Sequence, residues 1–504
     1  MSLDTSKGPF GKLIGSMKKA TSEEREKVDQ ELPFAVMVFT LMAASGVSPY
    51  DSWKKLRKLS FLPHFKGEAE EVVRQVEVLG KDPMVVLHLR GEKTHSKLYR
   101  TFLGGFISSV KSGGKTVDYL KSELKTIFEL RHNALIRSVD KIATLVEAYT
   151  VMLIVVLCTY ILFVVFSATN MMDMLTQSSI SISPMMSYIL AFIIMPVLSL
   201  GFTLIAHNMQ RSAFEDLTDL YKKALVIIAP VGAVLIVIGL VPSIQEALKP
   251  IGLPEIVTLG LALASLVPAL KYRKISKINY NAEDSIPFFI RDVTESHKIG
   301  LSPEKSIIQA AKRKTYGSFS KFLDLMRSQI EWGIPLRKTF GNMQREIRSW
   351  FVNLNFAMLI ETIEIVGNST QSLELLSEYS EKEREVQINR RALLRPYIVL
   401  AFIWSGLVAV TTTIVALTTA MMTTVVSSSL SSVAVMGMQN QLGLFSVGII
   451  FQCWVSGFFL GKISEGNLGA GFQYSAMLAV TAYLSLVLSQ LLFSGMFSMP
   501  PATL

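Results

Sequence analysis

Seven long apolar runs constrain this chain more than any other feature of its sequence. Each run approaches the roughly 20 residues that an α-helix needs to cross the hydrocarbon core of a bilayer. The mean hydropathy of +0.40 is too high for an ordinary soluble protein. We therefore predict seven transmembrane helices, at Leu145 to Ala168, Met185 to Ala206, Ala224 to Val241, Pro254 to Leu270, Tyr397 to Met422, Leu442 to Gly461 and Tyr474 to Phe497.

Basic residues fall almost entirely in two segments outside these runs. Of the 50 Lys and Arg residues, 24 lie in residues 1–143, three in residues 207–223 and 21 in residues 271–395, and the other two are Lys249 and Lys462. Basic loops stay on the cytoplasmic side of a membrane. The sequence therefore predicts a multi-pass protein of the cell membrane, with its N-terminus in the cytoplasm and its C-terminus outside. The net charge of +10 then describes a basic cytoplasmic face, and we expect no nucleic-acid partner.

The two basic segments resemble each other at a constant spacing. LPFAVMVFTLMAASGVSPYDSW begins at Leu32, and IPFFIRDVTESHKIGLSPEKSI begins at Ile286, 254 residues later. Such regularity indicates an internal repeat. The matched positions include Pro33 with Pro287, Gly46 with Gly300, Ser48 with Ser302, Pro49 with Pro303 and Gly113 with Gly367.

The shared residues suit the turns of helical hairpins. Glycine takes positive φ without steric cost, so Gly46 and Gly300 are suited to end a helix. Ser48 and Ser302 are placed to cap the next helix, which would have proline at its first position, and Asp51 is spaced to complete a capping box. We predict an all-α protein with a helical domain at 1–143, four spans at 144–270, a second helical domain at 271–395 and three spans at 396–504.

The stretch GGKT, residues 113–116, looks in isolation like the end of a phosphate-binding loop. Such a loop needs a further glycine five positions before Gly114, where this chain has Ser109, and it must follow a buried strand. The matching stretch of the second segment is GNST, which has no lysine. We therefore interpret Gly113 and Gly367 as turn residues and Lys115 as a solvated surface charge. We expect no cofactor and no ATP binding.

Each basic segment carries a proline, an aromatic residue, about a dozen further residues and then glycine-x-serine-proline, and each is followed by a group of membrane spans. This arrangement resembles the F-domain family of type II secretion systems. The form with two such domains and GVSP or GLSP at the turn is similar to the archaeal branch, which serves archaella and adhesive pili. The resemblance implies a non-enzymatic platform protein that docks a hexameric secretion ATPase in the cytoplasm. It also implies that the platform helps move pilin or archaellin subunits from the bilayer into a filament. We further expect a homodimer.

Basic side chains after the two hairpin turns are candidates for docking an acidic partner. Lys58 and Lys312 are 254 residues apart, so the two clusters nearly correspond. The alternative interpretation is solvated helix ends or contacts with anionic lipid headgroups. The candidates are Lys54, Lys55, Arg57 and Lys58 in the first cluster, Lys312, Arg313 and Lys314 in the second, and a third group of Arg337, Lys338, Arg345 and Arg348.

The centres of the seven predicted spans contain no Asp, Glu, Lys, Arg or His. Proton relays and ion-coupled carriers normally need such groups at that depth. This counts against a transporter or channel, the alternative that seven spans and a repeat would otherwise support. Polar residues in the spans, such as Gln452, are expected to join helices. Both cysteines lie in predicted spans and the six histidines are scattered, so we expect no disulfide and no metal site.

Overall fold

The chain is helical throughout its described part. The computed structural model describes residues 9–59, 62–173, 189–209, 218–240, 252–344, 346–366, 370–426 and 432–496, and these contain no strand. The all-α prediction is therefore confirmed. The helices are α1 Pro9–Ala44, α2 Pro49–Leu56, α3 Pro63–Glu77, α4 Pro83–Lys93, α5 Lys97–Lys111, α6 Thr116–Asp173, α7 Met195–Met209, α8 Thr218–Leu240, α9 Leu253–Lys298, α10 Pro303–Ala311, α11 Ser320–Glu331, α12 Leu336–Gln344, α13 Trp350–Glu361, α14 Thr370–Val426, α15 Ser432–Glu465 and α16 Leu468–Met496.

Helices recur in the same order after 254 residues. Both α2 and α10 begin with a proline, Pro49 and Pro303, while α6 and α14 both begin with a threonine. Between them, α3, α4 and α5 are matched by α11, α12 and α13. The counterpart of α1 is the C-terminal part of α9, so Pro33 and Pro287 both lie inside long helices.

The chain divides into two compact units, and each contains residues from both halves of the sequence. The bundle unit comprises Met1–Leu135 and Ile278–Val386, and the apolar unit comprises Ile136–Lys277 and Gln387–Leu504. Three long helices, α6, α9 and α14, contribute residues to both units. Most residues of both basic segments therefore belong to the bundle unit.

One hydrophobic core extends through both halves of the bundle unit. Phe34 of α1 is fully buried, and its ring packs edge-on against the rings of Trp350 and Tyr379, at centroid distances of 4.8 and 5.9 Å. Within the first half, the ring centroids of Phe39 and Trp53 are 4.8 Å apart. Aromatic pairs at such distances add to the free energy gained from burying their area. The two halves thus share a core.

The predicted turn chemistry is present at both hairpins. Ser48 Oγ accepts the backbone N–H of Asp51 at 3.1 Å, and Ser302 Oγ accepts the N–H three residues further on at 3.5 Å. Gly46 and Gly300 have φ angles of 77° and 93° and follow the ends of α1 and α9. The Asp51 carboxylate, however, accepts the hydroxyl of Ser48 at 2.6 Å. The capping box therefore differs from the expected form, in which the acid accepts the backbone N–H of the cap residue.

GGKT forms the turn between α5 and α6. Gly113 has a φ angle of 64°, and the N–H groups of Gly113 and Gly114 both bond to carbonyls of the last turn of α5. This is the pattern of a Schellman helix end. The carbonyl of Lys115 then accepts the N–H groups of Asp118 and Tyr119 in the first turn of α6. The side chain of Lys115 is exposed, as predicted. Gly367 lies outside the described residues.

The N-caps of α5 and α13 are held by the first helix of each half. Ser96 donates its hydroxyl to Asp29 of α1, and Ser349 donates its hydroxyl to Glu283 of α9 at 2.7 Å. Asp29 and Glu283 are 254 residues apart. The correspondence between the halves therefore includes a contact between an acid and a serine that the sequence analysis did not single out.

Six candidate membrane spans are present among the described residues, which makes the chain a multi-pass membrane protein. They overlap six of the seven predicted spans. The third predicted span lies on α8, which ends beside residues outside the described part, and it stays a prediction. The six candidates are Thr116–Thr159, Ala191–Met209, Leu253–Lys298, Thr370–Ile414, Ser446–Glu465 and Leu468–Leu492.

Small residues bring α15 and α16 together within the apolar unit. A Cβ atom on Gly461 would lie 2.2 Å from the backbone N of Gly471, and one on Gly457 would lie 2.3 Å from the Cα of Ser475. Only glycine fits at such distances, and close backbone approach at small residues is typical of helix pairs in bilayers. The α15–α16 contact therefore depends on these glycines.

Polar groups in the apolar unit join helices or cap their ends. Gln452 of α15 donates its amide to Ser199 Oγ of α7 at 2.7 Å, which confirms the role predicted for it. Lys462 is buried at the end of α15, where its ammonium donates to the carbonyl of Gly466 at 2.6 Å. Lys462 directly follows the sixth predicted span, and its charge satisfies the end of a helix. Lys249 lies outside the described residues.

Candidate docking surface

In the first basic cluster, residues 54–58, some side chains already form contacts within the bundle unit. Lys54 Nζ lies 2.7 Å from Glu77 Oε1, and both side chains are nearly half exposed. The hydrogen bond with Glu77, together with its charge, raises the pKa of Lys54 above the ordinary value. Lys55 and Arg57 are partly buried, while Lys58 is exposed. Of this cluster, Lys58 is therefore the cation most open to a partner.

The second cluster, residues 312–314, also contains both a paired cation and exposed ones. Arg313 Nη1 lies 2.6 Å from Asp292 Oδ1, and Tyr316 donates its hydroxyl to the other oxygen of that carboxylate. Burial, together with the Asp292 carboxylate, raises the pKa of Tyr316. Lys312 and Lys314 are exposed, and their ammonium groups have no acidic partner among the described residues. Arg313 thus stabilises its own unit, whereas its two lysine neighbours are available.

Arg337 of the third group joins two carboxylates at the end of α13. Its Nη2 lies 2.7 Å from Glu361 Oε1 and its Nε lies 2.8 Å from Glu364 Oε2. Burial raises the pKa of Glu361, while the positive charges of Arg337 and, more weakly, of Lys58 oppose that rise. The fold therefore brings Lys58 of the first half and Arg337 of the second half close to one buried carboxylate.

The other members of the third group have different environments. Lys338 is exposed near the start of α12. Arg348 is partly buried, and its backbone N–H donates to Asn279 Oδ1 at 3.2 Å. Arg345 lies outside the described residues.

Two exposed apolar side chains occupy matching turns of the bundle unit. Val78 follows α3 and is 75% exposed, and Trp332 follows α11 and is 84% exposed. The two positions are 254 residues apart. Tryptophan is enriched among residues that dominate the binding energy of protein interfaces. Neither side chain was singled out from the sequence, because burial cannot be assigned to a single apolar residue in a turn.

A groove of about 440 Å³ lies in the first half of the bundle unit. Its walls are the turn from Gly46 to Ser52 and the start of α6 from Lys115 to Leu120, and its floor includes Phe39 and Phe106. This volume is within the range of small-ligand sites in proteins. The groove could not be predicted from the sequence, because its walls are more than 60 residues apart along the chain.

The aromatic residue of the shared motif binds an arginine in both halves. The guanidinium carbon of Arg131, on α6, is 4.8 Å from the ring centroid of Phe34. In the second half, that of Arg384, on α14, is 4.5 Å from the centroid of Phe288. Such cation–π contacts tie the long helix of each half to the first helix of the same half. The two arginines are 253 residues apart, one fewer than the repeat spacing of 254, so the repeat by itself does not match them.

A helical bundle of two matching halves, continuous with helices that suit a bilayer, defines a multi-pass membrane protein built from two copies of one domain. The family model of type II secretion system protein F matches residues 35–164 and 289–417, two regions that begin 254 residues apart and together cover just over half of the chain. The chain belongs to this family, whose members are membrane platform proteins of secretion and pilus machines.

A protein of Methanocaldococcus jannaschii, described as uncharacterised, is similar to this chain. The two are 20% identical over 489 residues, which are 92% of this chain and 80% of the relative. No solved structure matches the chain.

Proposed function

We propose that the protein is the membrane platform of an archaeal type IV pilus-like machine, either an archaellum or an adhesive pilus. The bundle unit docks a hexameric secretion ATPase, and the membrane helices support the transfer of pilin or archaellin subunits into the filament. The observation that carries the proposal is the family match to both halves of the chain. The organism of the similar protein supports the archaeal branch.

The exposed cations of the bundle unit are the proposed contacts for the ATPase. Lys58, Lys312, Lys314 and Lys338 are exposed, and Trp332 adds an apolar anchor. Complementary charge speeds association and selects the partner, while a central aromatic residue supplies affinity. In this proposal the chain is a scaffold without enzymatic activity. It forms a homodimer with its N-termini in the cytoplasm and its C-termini outside.

Reversal of two exposed lysines tests the docking surface. Lys312→Glu with Lys314→Glu should lower ATPase binding and filament number without lowering the amount of platform in the membrane. Arg313 is left unchanged, because its pair with Asp292 stabilises the unit. The measurement is a pull-down of the secretion ATPase of the same organism at several salt concentrations, since exposed charges are screened over about 8 Å at physiological ionic strength.

The matched control reverses two exposed lysines outside the clusters, Lys81 and Lys97. This control should bind the ATPase as the wild-type chain does. If the variant of Lys312 and Lys314 binds the ATPase as well as the wild-type chain does at low salt, the docking surface lies elsewhere. Normal filaments in cells that lack the platform gene would reject the proposed function itself.

A further inference from the structure

The groove between the first hairpin turn and the start of α6 combines an apolar floor with a charged rim. Val47 and Val117, which are partly exposed, contribute apolar surface beside the buried ring of Phe39. Lys115 and Asp118 are exposed at the rim. The Lys115 ammonium has no acidic partner among the described residues. These groups suit an apolar side chain that lies beside a carboxylate, because the lysine can pair with the carboxylate while the floor receives the apolar group.

The turn chemistry argues against a phosphate as the occupant. A phosphate loop presents free backbone N–H groups to the ligand. Here the N–H groups of Gly113 and Gly114 bond to carbonyls of α5, and that of Thr116 bonds to the carbonyl of Gly114. Lys115 therefore stands at the rim without the N–H groups that a nucleotide would need.

The matching position in the second half does not carry the positive charge of Lys115. The position 254 residues after Lys115 is Ser369, and those after Phe39 and Phe106 are Val293 and Ile360. A partner that pairs with Lys115 would therefore distinguish the first half from the second. Each chain would hold one such segment.

We propose that this groove binds a peptide segment of the cytoplasmic partner, one that carries an apolar side chain next to a carboxylate. The inference rests on the proposed function, in which that partner is the secretion ATPase. Lys115 pairs with the carboxylate and sets the register of the segment, and the apolar side chain fills the space above Phe39 and Phe106. The groove thus supplies specificity beside the exposed lysines, which supply long-range attraction.

Two substitutions that act in different ways test the groove. Lys115→Glu reverses the charge at the rim, and Val117→Trp fills the space between the walls. Each should weaken binding of the purified ATPase to the full-length platform in nanodiscs by about tenfold or more, because a like charge or a clash replaces a favourable contact. The control is Lys111→Glu, since Lys111 is also exposed at the end of α5 but does not line the groove.

A labelling experiment gives a second measurement that does not depend on loss of binding. In a chain without Cys158 and Cys453, a cysteine at Val117 should react more slowly with a maleimide when the ATPase is bound, whereas a cysteine at Lys111 should react at an unchanged rate. If both groove variants bind as wild type and Val117→Cys is not protected, the groove proposal is wrong and the proposed function stands. If the wild-type platform binds no ATPase at low salt, both are wrong.

Discussion

Glu361 is the residue at which charges from the two halves of the bundle unit meet. Its side chain is nearly buried and pairs with Arg337, but its Oε2 atom has no hydrogen-bond partner among the described residues. Burial raises its pKa above the ordinary 4.5. The folded state therefore binds a proton at Glu361 more readily than the unfolded state does, and this contribution to stability is lost as pH rises from about 4.5 through the raised pKa.

We expect Glu361→Gln to flatten the pH dependence of unfolding, because glutamine keeps the shape and does not ionise. Arg337→Met should make the dependence steeper, because the charge that opposes the raised pKa is gone. The measurement is the thermal midpoint of the full chain in detergent between about pH 4.5 and 7.5. The exposed Glu331, changed to Gln, is the control. Identical pH profiles for wild type and Glu361→Gln would refute this account of the side chain.

At the scale of helices, a buried ion pair joins α6 to α14. Arg131 Nη2 lies 3.0 Å from Glu383 Oε1, and the side chains are 24% and 3% exposed. The Nη1 atom of Arg131 has no partner among the described residues. Removing one member of such a pair leaves an uncompensated charge, whereas replacing both with apolar residues is often neutral or stabilising. We therefore expect the pair to contribute more to the register of the two helices than to net stability.

Arg131→Met should lower the free energy of unfolding by about 3 kcal/mol, the lower end of the usual cost, because Arg131 is partly exposed. The double variant Arg131→Met with Glu383→Leu should recover most of this loss. Chemical denaturation of the full chain measures both values. Lys298 and Glu374, whose side chains are nearly half exposed, provide the control, and Lys298→Met should leave the free energy of unfolding nearly unchanged, because an exposed ion pair contributes little. A double variant no more stable than the single one would contradict the prediction.

The contact between α15 and α16 depends on glycines that face the neighbouring backbone. Gly461→Ala should push the two helices apart and destabilise the protein by about 1–3 kcal/mol, as overpacking does. Gly443→Ala on the same helix is the matched control, because no atom lies within 4 Å of its added Cβ. The control should be neutral or slightly stabilising, since alanine favours helix over glycine. Equal thermal midpoints for the two variants in detergent would show that the glycine contact is dispensable.

At the scale of the whole molecule, the charge distribution predicts which loops face the cytoplasm. In a chain without native cysteines, single cysteines at Ser178, Ser243 and Ser429 should react with an impermeant thiol reagent applied to intact cells. These three positions lie outside the described residues. Cysteines at the exposed Ser108 and Ser122 of the bundle unit should stay protected until the cells are opened. The opposite labelling pattern would show that the predicted orientation is wrong and that the bundle unit does not face the cytoplasm.

Features that depend on neighbouring residues were open to prediction from the sequence. A membrane span is a property of about 20 consecutive side chains, and a helix end depends on local φ angles and the nearest cap. The predicted positions of six spans, the φ angles of Gly46 and Gly113 and the cap at Ser48 follow from such local rules. The role of GGKT as a turn also followed, because a phosphate loop has strict local requirements.

Features that join distant segments were decided by the tertiary structure. Composition shows that Lys54, Arg313 and Arg337 are basic, but only the folded chain places each beside a carboxylate and leaves Lys58, Lys312 and Lys314 exposed. The shared core of the two halves and the groove beside Lys115 arise in the same way. Their side chains come from helices far apart in the chain, and which faces meet depends on the packing of every helix between them. The sequence by itself determined the spans, the turns and the family resemblance, whereas only the fold determined which charges and surfaces remain available to a partner.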